Sequence, residues 1–176
     1  MHILDIAENS ISAGADRVLI SVMDEDSTRL QSIRIEDNGR GMSEEEASRV
    51  SDPFYTSRTT RRVGMGIPLF RQHAEMAGGG LKIHSEEGVG TTVEARFQLD
   101  HPDRQPVGDL EGSWLLLVSS NPGIEWELRC ETGHGIFSIS TSQIRRELDL
   151  DLIQGRVLTN ELKRMIRNNL DELGLI

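Results

Sequence analysis

Cysteine and long apolar runs are scarce in this chain of 176 residues. Cys130 is its single cysteine, so an intramolecular disulfide is excluded, and we expect a small buried side chain there rather than a reactive thiol. No apolar stretch approaches the roughly 18 residues needed to cross a membrane. Acidic residues near the amino terminus argue against a secretory signal. We therefore expect a cytoplasmic protein without a membrane partner.

Positive charge is also scarce, because 19 Lys and Arg face 29 Asp and Glu, giving a net charge of −10. Wrapping duplex nucleic acid requires many basic phosphate contacts, so no nucleic-acid partner is expected. Arg58, Arg61 and Arg62 form one basic cluster inside this acidic chain. The cluster is either a solvated loop or a mobile cationic loop over phosphates. Its position between two glycine-rich motifs favours the second interpretation.

Four short polar or glycine-rich motifs follow one another in the first hundred residues. They are D-I-A-E-N at 5–9, D-N-G-R-G-M at 37–42, G-M-G-I-P-L at 64–69 and G-V-G-T-T at 88–92. One glycine-rich motif alone is weak evidence. Four in this order, each beside the secondary structure that it needs, indicate a nucleotide pocket.

The first motif lies on a predicted helix over residues 2–13. One face of this helix is apolar, and Asp5, Glu8, Asn9 and Ser12 fall together on the other face at helical spacing. By itself, that pattern is equally typical of the solvated side of any amphipathic helix. Its meaning therefore depends on the other motifs.

Alternating apolar residues predict strands at 18–22, 33–35, 81–83 and 93–99. The D-N-G sequence after the second strand is typical of a hairpin turn, but Ser43 and the Glu three residues later form a capping box, which predicts that a helix follows. A glycine-rich entry predicts another helix that ends at residues 78–80. The order is helix, two strands, helix, lid, helix, two strands. This predicts an α+β fold, a two-layer α/β sandwich with one helical layer on a mainly antiparallel sheet.

The remaining residues are predicted to form a small C-terminal α+β appendage for protein contacts or regulation. Residues 114–118 are expected to be a buried strand, followed by a hairpin and by two helices capped by Ser142 and Thr159. The apolar stripe of the last helix is expected to pack on a small sheet of its own. The predicted boundaries are 1–100 for the nucleotide domain, 101–112 for a linker and 113–176 for the appendage.

On these motifs, the first hundred residues resemble the GHKL, or Bergerat, ATP-binding fold shared by gyrase, heat-shock chaperones of the ninety-kilodalton class, histidine kinases and MutL. The stretch E-N-S-I-S-A-G-A is most similar to the N-box of MutL-like proteins. The stretch D-P-F-Y-T-S-R, followed by G-M-G-I-P-L, is more similar to histidine kinases.

The resemblance implies ATP and Mg²⁺ as cofactors. It implies that Asn9 ligates Mg²⁺ bridging the phosphates, that Asp37 accepts a hydrogen bond from the adenine amine, and that Thr91 supports the adenine side through its hydroxyl. The other implied nucleotide-binding residues are Gly39, Gly41 and Met42 near the base, Gly64, Met65 and Gly66 at the lid hinge and phosphates, and Arg58, which stands where the family often has a phosphate-contacting Lys.

Two features depart from the family pattern. In members that hydrolyse ATP, a Glu four residues before the Mg²⁺-binding Asn activates the attacking water, whereas Asp5 holds that position here. Asp is one methylene shorter, and a base must come within about 2.6–3.2 Å of its proton, so we expect slow hydrolysis. The lid between Arg58 and Gly64 is also very short.

The function implied is an ATP-binding regulator or kinase acting on a separate protein. The sequence as given starts at the N-box helix, and its histidines lack both a phospho-acceptor context and the spacing of a zinc site. Two alternatives stay open, a slow ATPase switch and a non-catalytic nucleotide sensor. DNA work of the gyrase or MutL type is less favoured in an acidic chain. The expected partners are ATP and a protein substrate or target, with a second copy of the chain as a further candidate.

Overall fold

The computed structural model describes residues 3–50, 66–147 and 156–176. Its strands are β1 (Arg17–Glu25), β2 (Leu30–Asp37), β3 (Gly80–Glu86), β4 (Gly90–Gln98), β5 (Glu125–Thr132) and β6 (Gly135–Ser140). Its helices are α1 (Ile3–Ser12), α2 (Glu44–Arg49), α3 (Gly66–Met76), α4 (Leu110–Ser120), α5 (Thr141–Glu147) and α6 (Arg156–Glu172).

The six described strands form one sheet in the order β3-β4-β2-β1-β5-β6. Neighbouring strands are antiparallel except β1 and β5, which run parallel. The end of β2 therefore lies beside the start of β1 and the start of β4, with Asp37 opposite both Val18 and Thr91. The second and fourth motifs meet at this end of the sheet.

One face of the sheet is covered by helices and the other carries charge. Alternate residues such as Val18, Ile35 and Trp126 point to the covered face and are fully or almost fully buried. On the other face, ion pairs join residues two positions apart on one strand, as in Arg34–Glu36 and Arg129–Glu131. This alternation is the period-two pattern of a sheet with one solvated face, and it confirms the predicted α+β sandwich.

The predicted elements of the first hundred residues are confirmed where they are described. Helix α1 buries its apolar face, and the strands match the alternating runs. Ser43 and Glu46 form the predicted capping box of α2, so the D-N-G sequence leads into a helix and not into a hairpin. The lid between Arg58 and Gly64 falls within residues 51–65, which lie outside the described residues.

The C-terminal residues differ from the prediction in several ways. Residues 114–118 belong to helix α4 and not to a strand, because a short continuous apolar run suits a buried helix as well as a strand. Strands β5 and β6 join the main sheet beside β1, so the expectation of a separate small sheet is wrong. The last helix begins at Arg156, before Thr159, although it ends as predicted before Gly174, whose φ is +70°.

Glu125, at the start of β5, anchors α5. Its carboxylate accepts hydrogen bonds from Thr141 Oγ1 at 2.7 Å and from the Ser142 backbone N–H at 2.8 Å. Burial by itself raises the pKa of Glu125, but the hydrogen bonds outweigh burial and hold the pKa below its ordinary value. Ser140, not the predicted Ser142, accepts from the backbone N–H of Gln143 in the first turn.

Two other expectations concern burial and membranes. Cys130 is buried, and its burial raises the pKa of the thiol to about 12, as expected for an inert small side chain. Within the described ranges, no helix combines the length and the apolar character needed to cross a membrane.

Candidate functional site

Helix α1 presents Asp5 and Asn9 one turn apart on its polar face. Asp5 is half-buried and Asn9 is exposed. Gly66, the first residue of α3, lies directly against Asp5, since a Cβ on Gly66 would come within 2.8 Å of the Asp5 Cβ. Because glycine has no side chain, the start of α3 can approach α1 closely at Asp5.

Asp37 ends β2, and its carboxylate accepts a hydrogen bond at each oxygen. Ser10 Oγ donates to Oδ2 at 2.7 Å, and the Gly39 backbone N–H donates to Oδ1 at 2.9 Å. The carboxylate therefore lies on the helix-covered side of the sheet, between α1 and the loop that follows β2. An ionised carboxylate has about four lone-pair positions, so these two bonds leave capacity to accept from a ligand amine.

The glycines of the second motif allow that loop to pass close to neighbouring backbone. A Cβ on Gly39 would lie 2.8 Å from the Ala13 Cβ, and the adjacent Arg40 N–H donates to the Ala13 carbonyl at 2.9 Å. Gly41 has a φ of +66°, and a Cβ there would lie 1.9 Å from the Glu86 carbonyl oxygen. The loop is thus fixed between the turn after α1 and the β3–β4 hairpin, and only glycine fits at position 41.

Thr91 and Met42 are joined through Ser85. The Met42 backbone N–H donates to Ser85 Oγ at 2.9 Å, and Ser85 Oγ lies 2.8 Å from Thr91 Oγ1. Ser85 Oγ also donates to the Gly90 carbonyl at 3.1 Å. These bonds tie the glycine loop to the start of β4, directly beside Asp37.

Asn38 has a different part in this loop. Its side-chain oxygen accepts from the backbone N–H groups of Asp16 and Arg17 at 3.1 and 2.9 Å, and its side-chain nitrogen donates to the Asp16 carboxylate at 2.6 Å. It fastens the loop to the start of β1 and so fixes the backbone next to Asp37.

The structure brings most of the predicted site residues together. Asp37, Gly39, Gly41, Met42 and Thr91 lie in or beside the loop after β2. Asp5, Asn9 and Gly66 lie on α1 and at the start of α3. Arg58, Gly64 and Met65 lie outside the described residues.

Sequence reasoning missed Ser10 and Ser85. Ser10 shares the buried face of α1 with Ile3, Ile6 and Ala7. A hydroxyl among apolar positions requires a hydrogen-bond partner, so this position was a readable signal. Ser85 follows the alternating apolar residues Leu81 and Ile83 on the covered side of β3, and its partners are visible only in the fold.

A cavity of about 400 Å³ lies at the same end of the sheet, and Asp37, Ser85 and Thr91 of the candidate site are among its lining residues. Its other lining residues include Arg17, Leu19, Glu36, His84, Thr92 and Glu127. These residues alternate with the buried ones and belong to the open face. The Asp37 carboxylate is bonded to Ser10 of α1 on the opposite face. The cavity thus reaches Asp37 from the open face, while the Asp37 carboxylate is held from the covered face.

The residues present fit an adenine nucleotide with a metal. Asp37 supplies an ionisable acceptor, and the loop of residues 39–41 approaches it without bulky side chains. Asn9 offers an exposed amide oxygen, a hard ligand of the kind that Mg²⁺ accepts alongside phosphates and water. Among the described residues, no group of three His, Cys, Asp or Glu is arranged to hold a metal by itself.

The first hundred residues are similar to those of known proteins. Residues 2–101 match the family described as histidine kinase-, DNA gyrase B-, and HSP90-like ATPase. Sporulation kinase E of Bacillus subtilis is 32% identical over 106 residues, which cover 58% of this chain and 13% of that protein. The non-motile and phage-resistance protein of Caulobacter vibrioides is 29% identical over 116 residues, covering 61% of this chain and 14% of that protein.

One relative matches further into the C-terminal region. The CAI-1 autoinducer sensor kinase/phosphatase CqsS of Vibrio cholerae is 27% identical over 161 residues, covering 86% of this chain and 24% of that protein. The chain thus spans less than a quarter of the length of each of these three relatives. With the family match across more than half of its length, the chain belongs to the histidine kinase-, DNA gyrase B- and HSP90-like ATPases, and residues 2–101 are its ATP-binding domain.

Proposed function

We propose that this protein binds Mg²⁺-ATP between α1 and the loop after β2, and uses it for phosphotransfer to, or ATP-switched signalling through, a separate protein. The observation that carries the proposal is the Asp37 carboxylate, held at both oxygens by Ser10 and Gly39. A carboxylate fixed beside glycine backbone suits the exocyclic amine of adenine, because an ionised acceptor makes a stronger hydrogen bond than a neutral one.

The polar face of α1 supports the phosphate end of the proposal. Asn9 is exposed there and would complete the coordination of a Mg²⁺ ion already held by phosphate oxygens and water. The start of α3 at Gly66 supports it as well, since backbone N–H groups at a helix N-terminus favour phosphate. Arg58, Gly64 and Met65 are proposed to add phosphate and lid contacts.

In this proposal, Asp5 decides between hydrolysis and phosphotransfer. Asp5 lies one turn before Asn9, where it can act as a base toward a water near the γ-phosphate, with shorter reach than Glu. Phosphotransfer to a protein side chain needs no activated water, so a weak base at this position favours transfer or switching over fast hydrolysis. Two of the three relatives described above, sporulation kinase E and the sensor kinase/phosphatase CqsS, have the word kinase in their names, which supports the same choice.

The second candidate is a slow ATPase switch or a sensor that binds ATP without transferring phosphate. The exposed charged face of the sheet and the extra strands β5 and β6 offer surface for a protein partner in either case. We propose a cytoplasmic location and neither a membrane nor a nucleic-acid partner. The proposed partner is a protein, and a second copy of the chain is one candidate.

One experiment separates these functions. The protein is incubated with γ-labelled ATP and Mg²⁺, alone and with candidate partners, and label on protein is followed against free phosphate. Label on a partner supports phosphotransfer, and free phosphate alone supports a slow ATPase. Binding without either product supports a sensor. Asp37→Asn, run in parallel, should suppress whichever signal appears, because that signal depends on nucleotide binding.

A further inference from the structure

Ser10 is a hydroxyl buried on the apolar face of α1, with 2% of its surface exposed. Serines in helices commonly bond to the carbonyl four residues earlier, as Ser12 does with Glu8 at 2.8 Å. Ser10 instead donates out of its helix to Asp37 Oδ2 at 2.7 Å, across 27 positions of the chain. Its hydroxyl is therefore directed at one carboxylate of the nucleotide site.

The backbone around Ser10 is also fixed. Its carbonyl accepts from the N–H groups of Ala13 and Ala15, both at 3.2 Å, in the turn that ends α1. Asp37 is held equally firmly, because it pairs with Val18 of β1 and Thr91 of β4 inside the sheet. The bond from Ser10 to Asp37 thus joins two side chains whose backbones are both fixed.

The two donors to Asp37 come from different directions. Ser10 reaches Oδ2 from α1, and the Gly39 N–H reaches Oδ1 from the loop. Together they fix the rotation of the carboxylate and leave one acceptor position on each oxygen. With Gly39 alone, the carboxylate can turn about its last torsion, and binding would have to supply the cost of orienting it.

We infer that Ser10 is a positioning residue for base recognition, which orients Asp37 so that a remaining lone pair meets the exocyclic amine of the purine. This inference rests on the proposed function and deepens it. Ser10 contacts Asp37 and not the nucleotide, so its effect depends on the amine that Asp37 accepts from. The affinity for a ligand without that amine should therefore not change when Ser10 is replaced.

The test compares two ligands on three proteins by titration calorimetry with Mg²⁺ present. The ligands are ATP and purine riboside triphosphate, which lacks the 6-amino group. The proteins are wild type, Ser10→Ala and the matched control Ser12→Ala, which removes an exposed hydroxyl from the same helix. Thermal unfolding of each variant shows that it is folded.

Ser10→Ala should weaken ATP roughly three- to tenfold, because a carboxylate that is no longer oriented loses part of the hydrogen bond that it accepts from the amine. The affinity for purine riboside triphosphate should change less than twofold. Ser12→Ala should change neither. An equal loss for both ligands in Ser10→Ala, or no loss for either, would overturn the positioning role. Equal affinity of the wild type for ATP and for purine riboside triphosphate would instead refute amine recognition by Asp37, and with it the proposed adenine site.

Discussion

Replacing Asp37 by Asn changes the proposed base-recognising group with almost no change of shape. One oxygen becomes an NH₂ group, and the negative charge is lost. If the NH₂ takes the place of Oδ1, it meets the Gly39 N–H, which is a donor and cannot turn away. If it takes the place of Oδ2, it meets the Ser10 hydroxyl, which can rotate and accept. We expect the second arrangement, so the variant should fold.

The expected loss is in nucleotide affinity. A hydrogen bond to a charged group contributes about 1.5–3 kcal/mol, so the affinity for ATP should fall roughly ten- to a hundredfold. Part of this loss is offset because removing a negative charge favours binding of an anionic ligand. Glu36→Gln controls for that offset, since Glu36 is the adjacent residue, carries the same charge and pairs with Arg34 on the open face.

Calorimetry with ATP and Mg²⁺ measures the three proteins, and thermal unfolding checks that each is folded. Asp37→Asn should bind far more weakly than Glu36→Gln, which should bind like wild type or slightly better. If the two folded variants bind ATP equally well, Asp37 does not recognise the base, and the adenine end of the site has been placed wrongly.

Three further predictions concern the metal, the base and the pH. Asn9→Ala should lower the affinity for Mg²⁺-ATP and leave metal-free binding nearly unchanged, because its amide oxygen acts on the metal; a similar loss in EDTA, measured by calorimetry, would contradict this role. Asp5→Asn should abolish basal phosphate release and Asp5→Glu should raise it, because general-base catalysis contributes about 10²–10⁴-fold; a slower Asp5→Glu variant with intact ATP affinity would count against the base. The pKa of Glu125 is lower in the folded protein than in the unfolded chain. The charged Glu125 carboxylate therefore stabilises the folded state above its unfolded pKa, and this contribution is lost as pH falls through the folded pKa. In urea unfolding, the stability difference between wild type and Glu125→Gln should therefore be largest at neutral pH and shrink below about pH 4.5; a difference constant with pH would show that the charged form is not favoured by folding.

Local patterns predicted most elements of the ATP-binding domain correctly. The capping box at Ser43 and Glu46 and the alternating strands depend on neighbours within a few positions, so their signals are readable from the sequence. The run at 114–118 was predicted wrongly because its prediction also used neighbouring residues alone. Helix and strand both suit a short apolar run, and only packing against the surrounding core decides between them.

The site divides in a similar way. The sequence by itself determined which residue types are present: an Asp before glycines, an Asn on the polar face of a helix and a hydroxyl at the start of a strand. Whether they bind nucleotide as proposed stays a prediction. The tertiary structure decided that Ser10 and Gly39 hold Asp37, that Ser85 links Met42 to Thr91, and that β5 lies parallel to β1. These contacts join residues far apart in the chain, and their stability comes from burial and hydrogen bonding between elements, which no local sequence pattern encodes.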